Sequence, residues 1–463
     1  MKNRQLGHLG GMTDEWFDLG INISVFGEYS IGGVDPVVFR PPGYPFFVAG
    51  IADVFAGRHD LRVIDTDAKW AEWRDFSIKA LNSLYLSQCV LLALSSVALF
   101  LWASRYFGRG AAFSGALLFG ANPYSIVLTG LLHYDILHIF LIVVSTFLLT
   151  LFLENDKRPG GKMFLAGAAW GIATLVRPVT LTLPVFILAM LFIKSGSLRR
   201  AAYMTSALVL GMALVVLPYT ARNYSLTGRV IPVNAQSWTA LWGSTVTKFS
   251  INPNHYNWYR VYPDPYEKIF QRATGEGYTY EGLIRNNIKV EDEFKKSAIE
   301  NLKKSPGTYV VNCLTSFFTL NIHINSVFIK VFQFIQSPDN GIEKAWFVPG
   351  AAQDFYPSTA SNAFSFLVYA LTGLSLLGLY LSLKKKDGFF LVPGAVYLAL
   401  TVSHSLTYFD LMYYYIKMPF LFLFAFYAVN ALGGYRLKGV PIPALLIITL
   451  LVYTFALDIA VFY

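Results

Sequence analysis

The chain is built from apolar runs of membrane-crossing length, separated by short loops that carry lysine and arginine. The runs fall near 81–104, 111–128, 135–153, 163–176, 178–193, 201–219, 363–383, 388–405, 413–433 and 441–462. At about 1.5 Å of rise per residue, roughly 20 residues cross a hydrocarbon core, and no water there satisfies the backbone, so such segments must be helices. Apolar residues make up 55% of the 463 and charged residues only 14%, with a mean hydropathy of +0.47. A soluble chain of this length has no use for so much apolar surface. The expected fold is an all-α polytopic membrane protein with about ten spans.

The basic loops orient it. Arg105 and Arg109; Lys157, Arg158 and Lys162; Lys194, Arg199 and Arg200; Lys384, Lys385 and Lys386; and Arg436 with Lys438 all belong on the cytoplasmic side. Alternate connections then face out: 1–80, 129–134, the turn at 177, 220–362, 406–412 and the C-terminus. This scheme requires 163–176 and 178–193, split by Arg177-Pro178, to form a hairpin rather than one long helix. The stretch 311–335 is interrupted by Asn312, Asn321, His323, Asn325 and Lys330, and reads as interfacial or re-entrant. Four regions follow: a first external loop at 1–80 with interfacial helices, transmembrane helices at 81–219, an external region at 220–362 with amphipathic helices, and C-terminal transmembrane helices at 363–463.

The net charge of +9 is explained by these loops; no basic stripe suggests nucleic acid. Cys89 and Cys313 lie in apolar surroundings with no metal-ligand spacing, and read as small core hydrophobes. No phosphate-binding Gly-rich loop, dinucleotide fingerprint or Gly-x-Ser-x-Gly elbow is present. No cofactor is expected.

The chemistry-bearing residues collect on the outer side. Asp14-Glu15 opens a predicted helix after Thr13; alone, the pair is an ordinary helix N-terminus. Arg40-Pro41-Pro42-Gly43-Tyr44-Pro45 is a turn stiffened by proline, with Gly43 permitting the bend. His133-Tyr134-Asp135 begins a span, and an acid at membrane depth is costly enough to suggest a function. His138 is a turn further on, but one Asp and two His are a weak metal signal, so none is assigned. Asp65-Thr66-Asp67 reads as a solvated turn. Arg177, Arg222 and Lys417, followed by Met418-Pro419, fall at outer helix ends, and His404 closes a span on the same side.

An acidic pair, an aromatic-rich helix and an Arg-Pro-Pro-Gly-Tyr-Pro turn ahead of many spans resemble the integral-membrane glycosyltransferases that take sugars from polyprenyl phosphates (the GT-C superfamily), and within them family 39. That family includes protein O-mannosyltransferases and aminoarabinose transferases. Arg177-Pro178 and Leu217-Pro218-Tyr219-Thr220-Ala221-Arg222-Asn223-Tyr224 are similar to family motifs, with Tyr219 where Trp is usual and Lys417 near a usual Arg-Tyr-x-x-Pro.

The resemblance implies a GT-C-type bundle with extracytoplasmic catalytic loops in the plasma membrane. It implies inverting transfer of a monosaccharide from a polyprenyl-phosphate donor to a lipid, glycan or protein acceptor. Asp14 would be the general base, with Glu15 beside it. Arg40, Arg177, Arg222 and Lys417 would bind the donor phosphate. Asp135 would be a second site acid, with His133 and His404 as neighbours. The alternatives are a transporter or flippase of polyprenyl-linked cargo, or a catalytically silent relative. The family also has a first helix upstream of the acidic pair, so an apolar helix is expected to be encoded ahead of Met1.

Overall fold

The computed structural model describes residues 15–31, 35–57, 66–154, 160–246, 263–277, 280–322, 358–385, 388–407, 412–433, 436–437 and 440–441. Asp14 and residues 442–462 of the expected last span therefore lie outside the described residues. The described chain is helical apart from two small antiparallel pairings, β1 (Ser30–Ile31) with β2 (Asp35–Pro36) and β3 (Arg436–Leu437) with β4 (Val440–Pro441).

The first segment holds α1 (Glu15–Phe26) and α2 (Gly43–Phe55), which pack on each other. Gly20 lies against Val48 and the Pro45 carbonyl, where a Cβ would have no room. Trp16, Phe17, Tyr44 and Val48 are buried with Trp73, Phe76, Leu132 and Val176, which belong to later parts of the chain. Each large aromatic buried this way contributes on the order of 2 kcal/mol. This segment is thus bound to one end of the bundle.

The long α3 (Asp67–Ala103) starts at Thr66, whose side chain accepts from the Lys69 N–H. The boundary expected near residue 80 falls inside it: the amphipathic start and the span share one continuous helix. The expected run at 111–128 is broken instead, into α4 (Arg109–Gly120) and α5 (Pro123–Thr129), because Pro123 cannot extend α4. The bundle continues with α6 (Asp135–Glu154), α7 (Gly160–Val176), a 3₁₀ turn over Pro178–Thr182, α8 (Leu183–Ser195) and α9 (Leu198–Thr227).

Glycines set the α7–α9 contact. A Cβ on Gly167 would lie 1.9 Å from the Leu208 carbonyl oxygen, and one on Gly211 would lie 1.9 Å from that of Phe164. Gly160 meets Tyr203 and Gly171 meets Met212, so residue numbers rise together and the two helices run parallel. The intervening α8 must therefore run back. Arg177-Pro178 is the tip of a hairpin, as the basic loops require.

Beyond α9 come α10 (Ser237–Val246), α11 (Pro263–Thr274), α12 (Tyr280–Arg285), α13 (Asn287–Lys304) and α14 (Pro306–Ile322). They bury a separate apolar cluster of Trp242, Ile269, Phe270, Leu283, Ile284 and Phe294, which also takes in Leu19, Val37 and Phe39 of the first segment. The bundle closes with α15 (Ser358–Lys385), α16 (Gly388–Leu406) and α17 (Met412–Ala431). Among the described residues, Asp67–Ala103, Asp135–Glu154, Pro178–Ser195 and Leu198–Thr227 are long and apolar enough to cross a membrane, and shorter apolar helices lie beside them.

Candidate functional site

A series of contacts from Glu15 to His404 runs across one end of the bundle and joins most of the residues singled out by sequence, with Lys417 in Coulombic range of its end. It begins on α1, where Glu15 pairs with Arg40 from the loop before α2. The Arg40 guanidinium lies 5.2 Å from the Trp16 ring and 4.8 Å from Phe39. Trp16 meets Tyr134 edge-on at 4.9 Å and His133 at 6.3 Å. His133 Nδ1 is 2.6 Å from Asp135 Oδ2, and Arg177 Nη1 donates to Asp135 Oδ1 at 2.9 Å.

Arg177, at the end of α7, is 4.3 Å from the Tyr413 ring centre and 5.1 Å from that of Tyr134. The other partner of Tyr413 is His404, stacked at 3.9 Å. His404 is in Coulombic range of Arg177, Lys417 and His138. Lys417 is fully buried on α17, its ammonium 5.4 Å from the Tyr397 ring centre.

Local sequence explains these placements. Asp135 starts α6, where a carboxylate complements the helix dipole, and it is 1% exposed. Burial at that level is tolerable only because the acid has two partners. The loop that carries it is fixed by Gln88, a buried amide in the middle of α3. Gln88 Nε2 donates to the carbonyls of Thr129 (2.8 Å) and Leu131 (2.9 Å), while its Oε1 accepts from the Tyr44 hydroxyl at 3.0 Å. One side chain thus holds α2 and the approach to α6 together. The sequence pattern did not single out Gln88; a lone amide within an apolar run was the available signal.

Arg222 has a different setting. Its guanidinium donates to the Tyr29 carbonyl (2.9 Å) and the Val37 carbonyl (3.0 Å), clasping the β1–β2 hairpin. It also lies over the rings of Tyr29 and Tyr219, 5.4 Å from each. The Tyr29 hydroxyl donates to the Arg40 carbonyl at 3.1 Å, and its burial pushes the phenol well above its ordinary range. Gln236 accepts from Arg40, which ties α10's approach to the same loop. Arg222 therefore reaches the series through Tyr29 and the Arg40 backbone.

In the segment after α9, Glu291 of α13 is buried against the start of α10. It accepts from the N–H groups of Trp238 (3.0 Å) and Thr239 (3.3 Å) and from the Thr239 hydroxyl. Burial pushes its carboxyl up to about 7 despite those donors. Among the described residues, no group of three His, Cys, Asp or Glu side chains converges as a metal site.

Residues 70–220 match the model of the family described as dolichyl-phosphate-mannose-protein mannosyltransferase. That stretch contains Asp135 and Arg177. No curated protein sequence matches. The fold is similar to the Archaeoglobus fulgidus oligosaccharyltransferase in complex with Zn and sulfate, with a TM-score of 0.50 and 13% identity over 96% of this chain and 48% of that one.

Two further similarities are weaker. The oligosaccharyltransferase AglB of Archaeoglobus fulgidus with an inhibitory peptide and a dolichol-phosphate gives 0.48, at 13% identity over 98% and 52% of the two chains. ArnT of Cupriavidus metallidurans bound to undecaprenyl phosphate gives 0.38, at 15% identity over 93% and 74%. The chain spans about half the length of the oligosaccharyltransferase it matches. The expected resemblance to polyprenyl-phosphate-dependent membrane glycosyltransferases is borne out over residues 70–220, and beyond them the likeness is one of fold.

Proposed function

We propose that the protein transfers a monosaccharide from a polyprenyl-phosphate donor to a hydroxyl or amine of an envelope lipid, glycan or protein. The reaction inverts the anomeric carbon and takes place at the outer face of the plasma membrane. The observation that carries this reading is the contact series from Glu15 to His404, which sets carboxylates and guanidinium groups together at one end of an apolar helical bundle, with Lys417 in Coulombic range. The family matched by residues 70–220 supports a polyprenyl-linked donor.

Asp14, the residue before α1, is the base. It takes the acceptor proton as the acceptor oxygen or nitrogen attacks the anomeric carbon. Glu15, held by Arg40, orients the acceptor. The bond to the donor oxygen breaks, and its electron pair leaves on a phosphate. A phosphate is stable as an anion, so no general acid is needed. Arg177 and Lys417, with Arg40 at the edge, meet the charge that develops there. Asp135 and His133 hold Arg177 in place.

Arg222 acts one step back. It fixes the hairpin and, through Tyr29, the Arg40 backbone. The segment built around α10–α14 selects the acceptor.

The test compares envelope lipids, glycans and glycoproteins of a deletion strain with those of its parent by mass spectrometry. Loss of one monosaccharide from one acceptor class is expected, restored by the intact gene but not by Asp14→Asn. An unchanged inventory contradicts the proposal.

A further inference from the structure

Two histidines in this end of the bundle are buried without hydrogen bonds. His138 lies one turn past Asp135 on α6, and neither ring nitrogen has a hydrogen-bond partner among the described residues. His404, near the end of α16, is the same among the described residues, with only a minor interaction with the Leu400 backbone one turn back. A buried polar group left unbonded costs about 1–3 kcal/mol, so two neighbouring imidazoles in that state need an explanation.

Their surroundings narrow it. His138 is in Coulombic range of Asp135, Arg177 and His404. His404 stacks on the Tyr413 ring and is in Coulombic range of Arg177, Lys417 and His138, and Lys417 in turn lies over Tyr397. Asp135 already holds His133 and Arg177, so its charge is matched. Tyr413 touches both Arg177 and His404, which brings guanidinium and imidazole to one place. Two fixed cations repel a metal ion. A ligand rich in acceptor oxygens and carrying negative charge suits both the cations and the unbonded rings, because an imidazole N–H donates readily to an oxyanion.

We propose that His138 and His404 donate to the oxygens of a lipid phosphate held against Arg177 and Lys417, and that one ring takes up a proton when that phosphate becomes a monoester. This rests on the polyprenyl-phosphate reading above. In the transfer, the donor is a phosphodiester with one negative charge. Breaking the sugar–oxygen bond leaves its electron pair on the phosphate and yields a monoester, whose second ionisation lies near pH 6. The acceptor proton goes to the base. A further proton, drawn from water, converts one imidazole to imidazolium, which meets the second charge and adds a second N–H. The product is thereby bound with a proton that the donor does not require.

Farnesyl phosphate and its methyl diester serve as probes of the purified protein in nanodiscs, with binding measured from about pH 6.5 to about pH 8. Uptake of one proton predicts that wild-type affinity for the monoester rises about tenfold per unit fall in pH, while the diester stays flat. A flat monoester profile in the wild type overturns the proposal and needs no variant. His138→Gln and His404→Gln, which can donate but not take up a proton, are expected together to abolish the slope and weaken the monoester about tenfold at the acid end. A retained slope in that double variant also overturns it. Inorganic phosphate is expected to bind more weakly at every pH; equally tight binding would overturn the lipid as the ligand. If the wild type binds neither prenyl ligand, or Arg177→Ala binds both unchanged, the polyprenyl-phosphate reading itself fails. If binding depends on Arg177 and only the slope is missing, the histidine proposal alone fails.

Discussion

Arg177 and Asp135 meet at 2.9 Å in a nearly water-free position, one at the end of α7 and the other at the start of α6. They are 42 residues apart in sequence, and their pairing joins the hairpin tip to the loop that carries His133. Removing one partner of a buried ion pair leaves an uncompensated charge. Asp135→Asn is therefore expected to lower stability by about 3 kcal/mol, read as a fall in melting temperature in detergent. A melting temperature equal to wild type would show that the pair does not organise the site.

For Arg177 itself, loss of prenyl-phosphate binding is expected on substitution by alanine. Lysine should recover only part of it, because a point charge cannot bond Asp135 and a phosphate with a planar fork. Arg222→Ala should behave differently, since its guanidinium holds the Tyr29 and Val37 carbonyls. Turnover and stability should fall while affinity for the prenyl phosphate changes by less than about threefold, a difference of under about 0.7 kcal/mol. A loss of affinity as large as that of Arg177→Ala would place Arg222 on the ligand.

The parallel packing of α7 and α9 makes a prediction about the bundle alone. Gly167→Ala puts a methyl group where the Leu208 carbonyl already stands. Overpacking of this kind costs about 1–3 kcal/mol. Gly161→Ala, at a position with open space around it, is the control and should be neutral or slightly stabilising. Equal effects of the two would contradict the close helix contact.

Much of this was legible in the sequence, for physical reasons. Spans follow from apolar length, and the hairpin at Arg177-Pro178 followed from requiring the basic loops to share a side. Periodicity did not show the continuity of α3, because a helix can pass from lipid to water without a break when no Pro or Gly intervenes. Among site residues, Glu15, Arg40, His133, Asp135, Arg177 and His404 fall along one contact series with Lys417 in Coulombic range of its end, whereas Asp14 lies outside the described residues. The sequence singled out Arg222 as a cation at the outer interface, but not its two carbonyl partners, which are more than 180 residues distant. Gln88 and Glu291 were missed because their roles arise from burial, which a single sequence does not display.

Glu291 gives the segment around α10 and α13 a pH dependence. Its carboxyl is raised from 4.5 to about 7 in the folded protein, so folding favours the neutral form. The unfolded chain releases that proton first as pH rises, and stability declines from about pH 4.5 until about pH 7, then levels off. Glu291→Gln should remove this part of the slope, on the order of 2–3 kcal/mol between those limits. Thermal unfolding of both proteins across that range is the check, and parallel profiles would contradict it.

The central claim is that this chain moves a sugar from a polyprenyl phosphate with Asp14 as base. It is tested most directly by following release of polyprenyl phosphate from polyprenyl-phosphate-linked sugars. The assay uses membranes containing the protein and its native acceptors, with wild type and Asp14→Asn compared at matched amounts. The account predicts release by the wild type and none above background by Asp14→Asn, although the variant still binds prenyl phosphate. Wild-type release by Asp14→Asn, or no release by the wild type from any polyprenyl-linked sugar, would contradict it.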